Sequence, residues 1–348
     1  MKTASKKNKL LMNEVLPGLL VGRDMPNSSA SRLFEALFSG DLNDTQAKSV
    51  LLLLARKGES SDELWGAVSA LRKLEKPIGP RIRGLMDTCG TGGDKSQSIN
   101  LSTLAALTAA GAGAKIAKHG NRAISSRSGS SDLMEAFGVR INAKPSRMFK
   151  AIRKAGIGYF HAPYYHPVFA RLQPLRKSLK RRTLLNLLGP LVNPMRLDFQ
   201  LVGVAEKRLL TLYAKVLAKL GRRSALVCHS ADGMDEISTS KPTQVVWIRS
   251  GKISASTINP CKLGLKRATQ RDLRAPSPKK SQQIARNILN GKEKGPKRDA
   301  VILNAAYALL VGKKARTLAE AVQMARNSIA TGNALKTLTK LKKISTKS

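Results

Sequence analysis

Cysteine is one of several things that this 348-residue sequence has little of, with three copies at positions 89, 228 and 261. Three scattered cysteines cannot build a disulfide framework or a metal cluster, and they fit a reducing compartment. Long hydrophobic runs are missing too, because the longest strongly apolar stretch, 50–55, is far shorter than the ~20 residues of a membrane helix. Asn13, Glu14 and Pro17 interrupt what would have to be a signal-peptide core. These absences predict a soluble, globular, cytoplasmic protein with no membrane segment.

Acidic residues are also scarce, with 22 against 62 Lys and Arg, so the formal net charge is +40. Beyond residue 135, 43 basic residues accompany only 9 acidic ones. No acidic residue occurs within 136–197, a stretch that contains the cluster Arg171, Arg176, Lys177, Lys180, Arg181 and Arg182. Such a surface attracts polyanions. With only 7 Phe, 5 Tyr and 2 Trp, however, stacking platforms for selective single-strand recognition are few. The charge therefore predicts weak, non-specific binding to nucleic acid.

The spacing of apolar residues along the sequence changes near residue 80. Before it, spacings of three and four predict helices over 31–38, 44–56 and 60–74, with Asp44 and Ser61 as N-caps. After it, short apolar runs alternate with glycine loops and helices, and the strands are predicted at 84–86, 114–117, 200–204, 224–228 and 243–248. That alternation is typical of an α/β sheet.

The densest chemical signal is Asp87-Thr-Cys-Gly-Thr-Gly-Gly-Asp94, between an apolar segment and a helix. Glycines at 90, 92 and 93 allow a sharp turn whose N–H groups reach a phosphate near a helix N-terminus. The string is neither a Walker loop nor a dinucleotide fingerprint, and a purely structural turn is an equal interpretation. Asp94 favours binding, since a carboxylate in an anion loop suits a sugar hydroxyl or a hydrated metal ion.

Two further polar strings follow. Asn100-Leu-Ser-Thr103 opens a helix of small residues, and helix capping is its simpler interpretation. The run from Lys118 to Ser126, with Ser130 after it, supplies cationic donors and hydroxyls suited to a pyrophosphate and a phosphate. A solvated loop with incidental charge is the alternative.

The last two signals lie further along the chain. Asp235 and Glu236 follow a predicted strand, and adjacent carboxylates at such a position form a natural site for Mg²⁺. The alternative is that they are exposed surface residues without a ligand, which is the usual case for an isolated Asp-Glu pair. His166 and Arg176 precede the string Asn186-Leu-Leu-Gly-Pro-Leu-Val-Asn-Pro194. An Arg fork can bind a substrate carboxylate, but spacing alone does not separate Arg176 from its basic neighbours.

In this order, the strings closely resemble those of the anthranilate phosphoribosyltransferase family of tryptophan biosynthesis, over residues 30 to 342. The resemblance implies an α/β fold of the class II nucleoside phosphorylase kind. It has a small helical domain, 1–78, completed by helices within about 145–182. The larger domain, 79–348, has a central mixed or parallel sheet flanked by helices and binds phosphoribosyl pyrophosphate. It also implies a homodimer formed through the helical domain.

The resemblance also implies site residues. Those for phosphoribosyl pyrophosphate are Gly90, Gly93, Asp94, Ser98, Asn100, Ser102, Thr103, Lys118, His119, Gly120, Asn121, Arg122, Ala123, Ile124, Ser125, Ser126 and Ser130. Those for anthranilate are Gly90, Asn121, Arg176, His119 and His166. Those for Mg²⁺ are Ser102, Asp235 and Glu236. No residue is assigned as general acid or base, because an aniline-type amine needs little activation.

Two functions are consistent with these features. The first is an enzyme that transfers phosphoribosyl from phosphoribosyl pyrophosphate to anthranilate with Mg²⁺. The second is a nucleic-acid-binding paralogue that keeps the fold and uses the basic surface. A paralogue of that kind would be expected to lose its substrate residues, whereas Asp94, Ser102, Arg176, Asp235 and Glu236 are all present. The sequence therefore favours the enzyme.

Overall fold

The computed structural model describes residues 2–94, 96–122, 129–260 and 268–347, with side chains from residue 10 onward. The chain divides into two compact units. The first comprises Met1–Pro77 and Ala162–Pro194, and the second comprises Ile78–His161 and Met195–Ser348.

Helices and strands alternate through most of the chain. Among the described residues the helices are α1 (Lys2–Leu20), α2 (Asn27–Ser39), α3 (Asp44–Lys57), α4 (Ser61–Leu74), α5 (Leu101–Gly111), α6 (Ser130–Ala136), α7 (Pro145–Ala155), α8 (Ala162–Tyr165), α9 (Pro167–Arg171), α10 (Gln173–Leu179), α11 (Leu184–Leu187), α12 (Leu209–Lys219), α13 (Pro278–Leu289), α14 (Pro296–Val311), α15 (Leu318–Ala330) and α16 (Asn333–Thr346). The strands are β1 (Leu85–Gly90), β2 (Lys115–Gly120), β3 (Ile157–His161), β4 (Phe199–Gly203), β5 (Ser224–Ser230), β6 (Thr243–Arg249) and β7 (Lys252–Ile258).

Helices α1 to α4 and α8 to α11 belong to the first unit. Its centre is the contact between α2 and α4, where Gly66 allows close approach: a Cβ there would lie 2.6 Å from the Cβ of Ala30. The predicted N-caps Asp44 and Ser61 are wrong by one residue. Asn43 and Ser60 cap α3 and α4, because each side chain accepts the backbone N–H three residues ahead.

A seven-stranded sheet forms the centre of the second unit, in the order β3-β2-β1-β4-β5-β6-β7. In this order, β3, β2, β1, β4 and β5 pair with their neighbours in parallel. Strand β6 pairs antiparallel with β5, and β7 pairs antiparallel with β6. The predicted α/β class with a central mixed sheet flanked by helices is confirmed. Because β1, β2, β4 and β5 are parallel neighbours, their carboxyl ends lie along one edge of the sheet, where the predicted motifs follow them.

Helix α5 is buried along almost its whole length and packs against α14, α15, α16 and the sheet. Its residues after Thr103 are mostly Ala and Leu, which allow this close packing. Of the stretch 145–182, residues 162–182 lie in the first unit and α7 lies in the second, because the apolar side of α7 packs on β3 and α16. Among the described residues, no helix combines the length and the apolar character needed to cross a bilayer.

Candidate active site at the carboxyl ends of the central strands

The glycine loop follows β1, as predicted, and turns through left-handed backbone at Gly92 (φ +64°) and Gly93 (φ +79°). The N–H of Gly92 donates to Asp235 Oδ2 at 2.8 Å, and the N–H of Thr91 donates to the carbonyl of Gly203 at 2.9 Å. The loop is therefore held at the ends of β4 and β5, next to the predicted carboxylate pair.

Asp235 lies in a crowded position that only glycine neighbours permit. A Cβ on Gly203 would lie 1.5 Å from the Asp235 carbonyl oxygen, and a Cβ on Gly90 would lie 2.4 Å from Asp235 Oδ2. Two residues further on, Ile237 is fixed by Asn304 of α14, which accepts its N–H at 3.0 Å and donates to its carbonyl at 2.9 Å. The carboxylate pair is thus built into the sheet rather than displayed on a free turn.

Glu236 meets the start of α5. The N–H of Ser102 donates to Glu236 Oε1 at 3.1 Å, while Asn100, at the N-cap position, makes no side-chain capping bond to the helix. The capping interpretation of Asn100 is therefore wrong, and a distant carboxylate serves this helix end. Burial raises the pKa of the Glu236 carboxyl well above its usual range, and the negative charge of Asp235 adds to that effect.

Lys118 is the cation beside this pair. Its side chain is 2% exposed, and its ammonium donates to the carbonyl of Thr88 and to Ser102 Oγ, the latter at 3.3 Å. A small cavity opens behind the carboxylates. It is lined by Thr88, Cys89, Ser102, Ala105, Leu201, Gly203, Cys228, Asp235, Glu236 and Asn304. The predicted residues Gly90, Ser102, Lys118, Asp235 and Glu236 are therefore brought together.

The loop after β2 is anchored at both ends. The N–H of His119 donates to buried Asp87 at 3.2 Å, and Ser130 Oγ lies 3.2 Å from both the N and the O of Asn121. The hydroxyl of Tyr159 lies 3.0 Å from Ser130 Oγ, within hydrogen-bond distance. A Cβ on Gly120 would meet Ser130 Oγ at 2.2 Å and the Tyr159 hydroxyl at 2.4 Å.

The remaining predicted residues of the second unit have varied surroundings. Arg122 is exposed and pairs with Asp132 and Glu135 on α6. The hydroxyl of Ser96 donates to Ser98 Oγ at 3.1 Å, and the N–H of Ser96 donates to Asp94 Oδ1. Thr103 is buried, and its hydroxyl has no hydrogen-bond partner among the described residues. Ala123, Ile124, Ser125 and Ser126 lie outside the described residues.

The two candidates for the acceptor lie in the first unit. His166 Nδ1 is 2.5 Å from Glu75 Oε2, and the other oxygen of Glu75 accepts the N–H of Val168 at 3.1 Å. Arg176 on α10 is half-buried, its guanidinium has no partner in the described part of the chain, and burial lowers its pKa. Its neighbours Lys177 and Lys180 are exposed. Burial therefore distinguishes Arg176 from its basic neighbours, which the spacing of residues in the sequence could not do.

Four residues of this site were not found from the sequence: Asp87, Tyr159, Gly203 and Asn304. The sequence did contain a signal for Asp87, because this acidic residue opens the glycine motif. The structure places it fully buried within β1. The other three act across distances of 29 to 67 residues or through backbone contact, for which no local pattern exists.

Gly203→Ala tests how tightly the carboxylate loop is built. The added methyl would overlap the Asp235 backbone, so the loop must move, and overpacking of this kind costs roughly 1–3 kcal/mol or more. We expect a lower melting temperature and a large loss of turnover. Gly233→Ala is a control for loop stiffness, since a Cβ there meets nothing within 4 Å although its φ of +85° adds strain. A Gly203→Ala protein with unchanged melting temperature and rate contradicts this packing.

Glu236→Gln tests the raised pKa. Between the unfolded and the folded pKa of this carboxyl, the folded state keeps a proton that the unfolded chain has lost, so stability falls as pH rises through that window. Gln removes this penalty while still accepting the Ser102 N–H. At pH 8 in EDTA, we expect the variant to melt higher than wild type by roughly 2–4 °C, the equivalent of about 1 kcal/mol. The difference should shrink towards zero near pH 4.5, and a lower melting temperature at pH 8 contradicts the assignment.

Comparison with known proteins agrees with this geometry. The family described as "Glycosyl transferase family, a/b domain" matches residues 83–335. The anthranilate phosphoribosyltransferase of Herpetosiphon aurantiacus is 41% identical over 312 residues, which cover 89% of this chain and 92% of that protein.

Solved structures give the same answer. The anthranilate phosphoribosyltransferase of Thermus thermophilus superimposes with a TM-score of 0.88 at 38% identity, covering 94% of this chain and 98% of that one. The Saccharomyces cerevisiae enzyme in complex with PRPP and Mg gives a TM-score of 0.84 at 26% identity, covering 91% and 93%. The resemblance noted from the sequence is confirmed, and this chain belongs to the anthranilate phosphoribosyltransferase family of glycosyltransferases.

Proposed function

We propose that this protein transfers the phosphoribosyl group of phosphoribosyl pyrophosphate to the amine of anthranilate. The products are N-(5-phosphoribosyl)anthranilate and pyrophosphate, in tryptophan biosynthesis. The observation that carries the proposal is the joint placement of a phosphate-type glycine loop, a buried lysine and two adjacent carboxylates at the ends of β1, β2 and β5. The family membership of the chain and the names of its relatives support it.

The glycine loop and its surroundings suit phosphoribosyl pyrophosphate. The left-handed turn at Gly92 and Gly93 lets the backbone approach a phosphate closely, and Lys118 supplies a fixed positive charge. Asp94 suits a ribose hydroxyl. We assign the same role of holding this substrate to the other predicted residues of the loops after β1 and β2, and the unsatisfied hydroxyl of Thr103 is available to it.

The donor set fits Mg²⁺. Two adjacent carboxylates with a serine hydroxyl beside them form a set of oxygen donors of the kind that Mg²⁺ prefers. No group of three or more His, Cys, Asp and Glu suited to a metal occurs among the described residues, and Mg²⁺ needs none because substrate phosphates and water complete its shell. Asp235, Glu236 and Ser102 would hold the ion, which when bound neutralises the pyrophosphate leaving group. The Saccharomyces cerevisiae structure contains PRPP and Mg together.

The residues assigned to anthranilate are Arg176, Asn121, Gly90, His119 and His166. Arg176 carries the strongest argument, because a half-buried guanidinium that has no partner among the described residues is suited to a substrate carboxylate. His166, fixed by Glu75, would shape the pocket rather than exchange a proton.

Catalysis would rest on orientation and charge. As pyrophosphate leaves C1 of the ribose, positive charge develops on the sugar ring and the aromatic amine attacks C1. Lys118 would offset the negative charge of the leaving group, and Thr88 and Cys89 line the buried cavity beside it. No general base is assigned, because aniline nitrogen already carries a free lone pair.

Two further properties follow as proposals. The protein would act in the cytoplasm as a homodimer joined through its helical unit. Its +40 charge would also give it weak, salt-sensitive affinity for nucleic acid, but the comparisons favour the enzyme over a paralogue devoted to nucleic-acid binding.

Product analysis tests the reaction. Purified protein with anthranilate, phosphoribosyl pyrophosphate and Mg²⁺ should yield one pyrophosphate per anthranilate consumed, together with an ion at the mass of the phosphoribosyl adduct. Omitting anthranilate should stop pyrophosphate release. Continued release without anthranilate would mean hydrolysis of the donor and would contradict the transfer.

A further inference from the structure

Helices α7 and α16 pack side by side in the second unit and turn basic sides outward. Their apolar residues, among them Met148 and Ile152 of α7 and Leu338 and Leu341 of α16, are buried. The N–H of Arg140 donates to Ser345 Oγ at 3.0 Å, which joins the segment before α7 to the last turn of α16. The two helices therefore form one continuous surface.

Eleven basic side chains occupy this surface, which we name the α7–α16 basic face. From α7 and the segment before it come Arg140, Lys144, Arg147, Lys150, Arg153 and Lys154. From α16 and the residue after it come Lys336, Lys340, Lys342, Lys343 and Lys347. All are exposed except Arg147, which is half-buried and donates to the carbonyl of Ile344 at 3.4 Å.

The face has no opposing charge of its own. No acidic residue occurs within 136–197 or after Glu320, and none of the eleven side chains pairs with a carboxylate among the described residues. Elsewhere some exposed cations do have partners: Lys73 lies 2.5 Å from Glu35, and Arg122 pairs with Asp132 and Glu135. The lack of partners thus extends over all eleven cations of this face, whereas some exposed cations elsewhere are paired.

The arrangement carries a cost in the isolated protein. Lys336, Lys340 and Lys343 recur every three or four residues, so like charges stand on successive turns of α16. Like charges at this spacing destabilise a helix. A dense anionic partner would relieve this repulsion.

We propose that the α7–α16 basic face binds the phosphodiester backbone of nucleic acid without reading base sequence. A regularly spaced polyanion matches a row of unpaired cations, and its binding releases counterions. A membrane surface fits less well, because an interfacial helix needs a free apolar side and those of α7 and α16 are already buried. A protein partner fits less well too: Leu335, 37% exposed, is the one large apolar side chain exposed on these two helices within the described side chains.

The test is a salt titration of binding to fluorescent 20-mers: duplex DNA, duplex RNA and a single strand. The full-length triple variant Lys150→Gln, Lys340→Gln, Lys343→Gln is compared with a control of equal charge change, Lys215→Gln, Lys252→Gln, Lys280→Gln. The control lysines are exposed and belong to α12, β7 and α13. None of the six residues belongs to the candidate active site, so both variants should keep wild-type turnover. Turnover therefore reports separately on the proposed reaction.

We expect the slope of log K against log salt on duplex DNA to fall by roughly 2–3 in the face variant, at about 0.9 per lost phosphate contact, and to fall by less than 1 in the control. The dissociation constants for the three nucleic acids should lie within about tenfold of one another. Equal losses in both variants, no measurable binding by wild type at ~0.05 M salt, or a face variant that loses only its binding to anionic lipid vesicles would each overturn the proposal.

Discussion

The double substitution Asp235→Asn with Glu236→Gln is expected to abolish turnover and leave the fold intact. Asp235 accepts the N–H of Gly92 and Glu236 accepts the N–H of Ser102, so the near-isosteric amides keep these contacts while the charge disappears. Loss of the two negative charges removes the site for a divalent cation. We expect kcat/KM to fall by at least about 10³, or roughly 4 kcal/mol of transition-state stabilisation.

The control for this variant lies on the same loop. Asp232→Asn removes a carboxylate that accepts the hydroxyl of Ser238 at 2.6 Å and is not assigned to the site, so its effect on turnover should be within a few-fold. Circular dichroism and melting temperature check the fold of both proteins. A double variant with near wild-type turnover at saturating Mg²⁺ would show that these carboxylates do not serve a cation.

Arg176→Ala is expected to separate the two substrates. It removes a guanidinium assigned to the carboxylate of anthranilate and not to any phosphate of the donor, so the KM for anthranilate should rise far more than that for phosphoribosyl pyrophosphate. A charge-assisted pair contributes about 1.5–3 kcal/mol, which predicts a rise of roughly 10- to 150-fold. Steady-state kinetics with each substrate varied in turn measures this.

Lys177→Ala provides the matched control, because it removes a neighbouring positive charge from an exposed position of the same helix. Its KM values should stay within about twofold of wild type. If Arg176→Ala raised both KM values equally, or if Lys177→Ala had the larger effect on anthranilate, Arg176 would not be the carboxylate fork.

The strands that carry the site could be predicted, and two others could not. Strands β1, β4 and β5 are short apolar runs flanked by glycine or by polar turns, which is a strong local signal. Strand β3 is only five residues long, and its Gly158 and His161 break the apolar run although every residue is buried. Strand β7 lies at the sheet edge with six of seven residues exposed, and its mostly small or polar side chains give only a weak apolar signal.

The chemistry of the site was predictable to the level of its motifs. The glycine loop and the Asp235–Glu236 pair follow strands, Lys118 lies near the end of β2, and parallel strands bring such ends together. What could not be predicted is how they are held. Gly92 and Asp235 are 143 residues apart, and the burial that raises the pKa of Glu236 depends on the whole packed unit. The N-cap of α5 shows the same limit, because Glu236, 134 residues from Ser102, replaces the local side chain that the sequence suggested.

The most direct test of the central claim follows the native fluorescence of anthranilate. With purified protein, phosphoribosyl pyrophosphate and Mg²⁺ all present, the fluorescence should decay to completion. Omission of any one of the three, or use of the Asp235→Asn, Glu236→Gln protein, should leave it constant. Steady fluorescence in the complete mixture, with protein shown to be folded by its melting transition, would contradict the assignment of this site to phosphoribosyl transfer onto anthranilate.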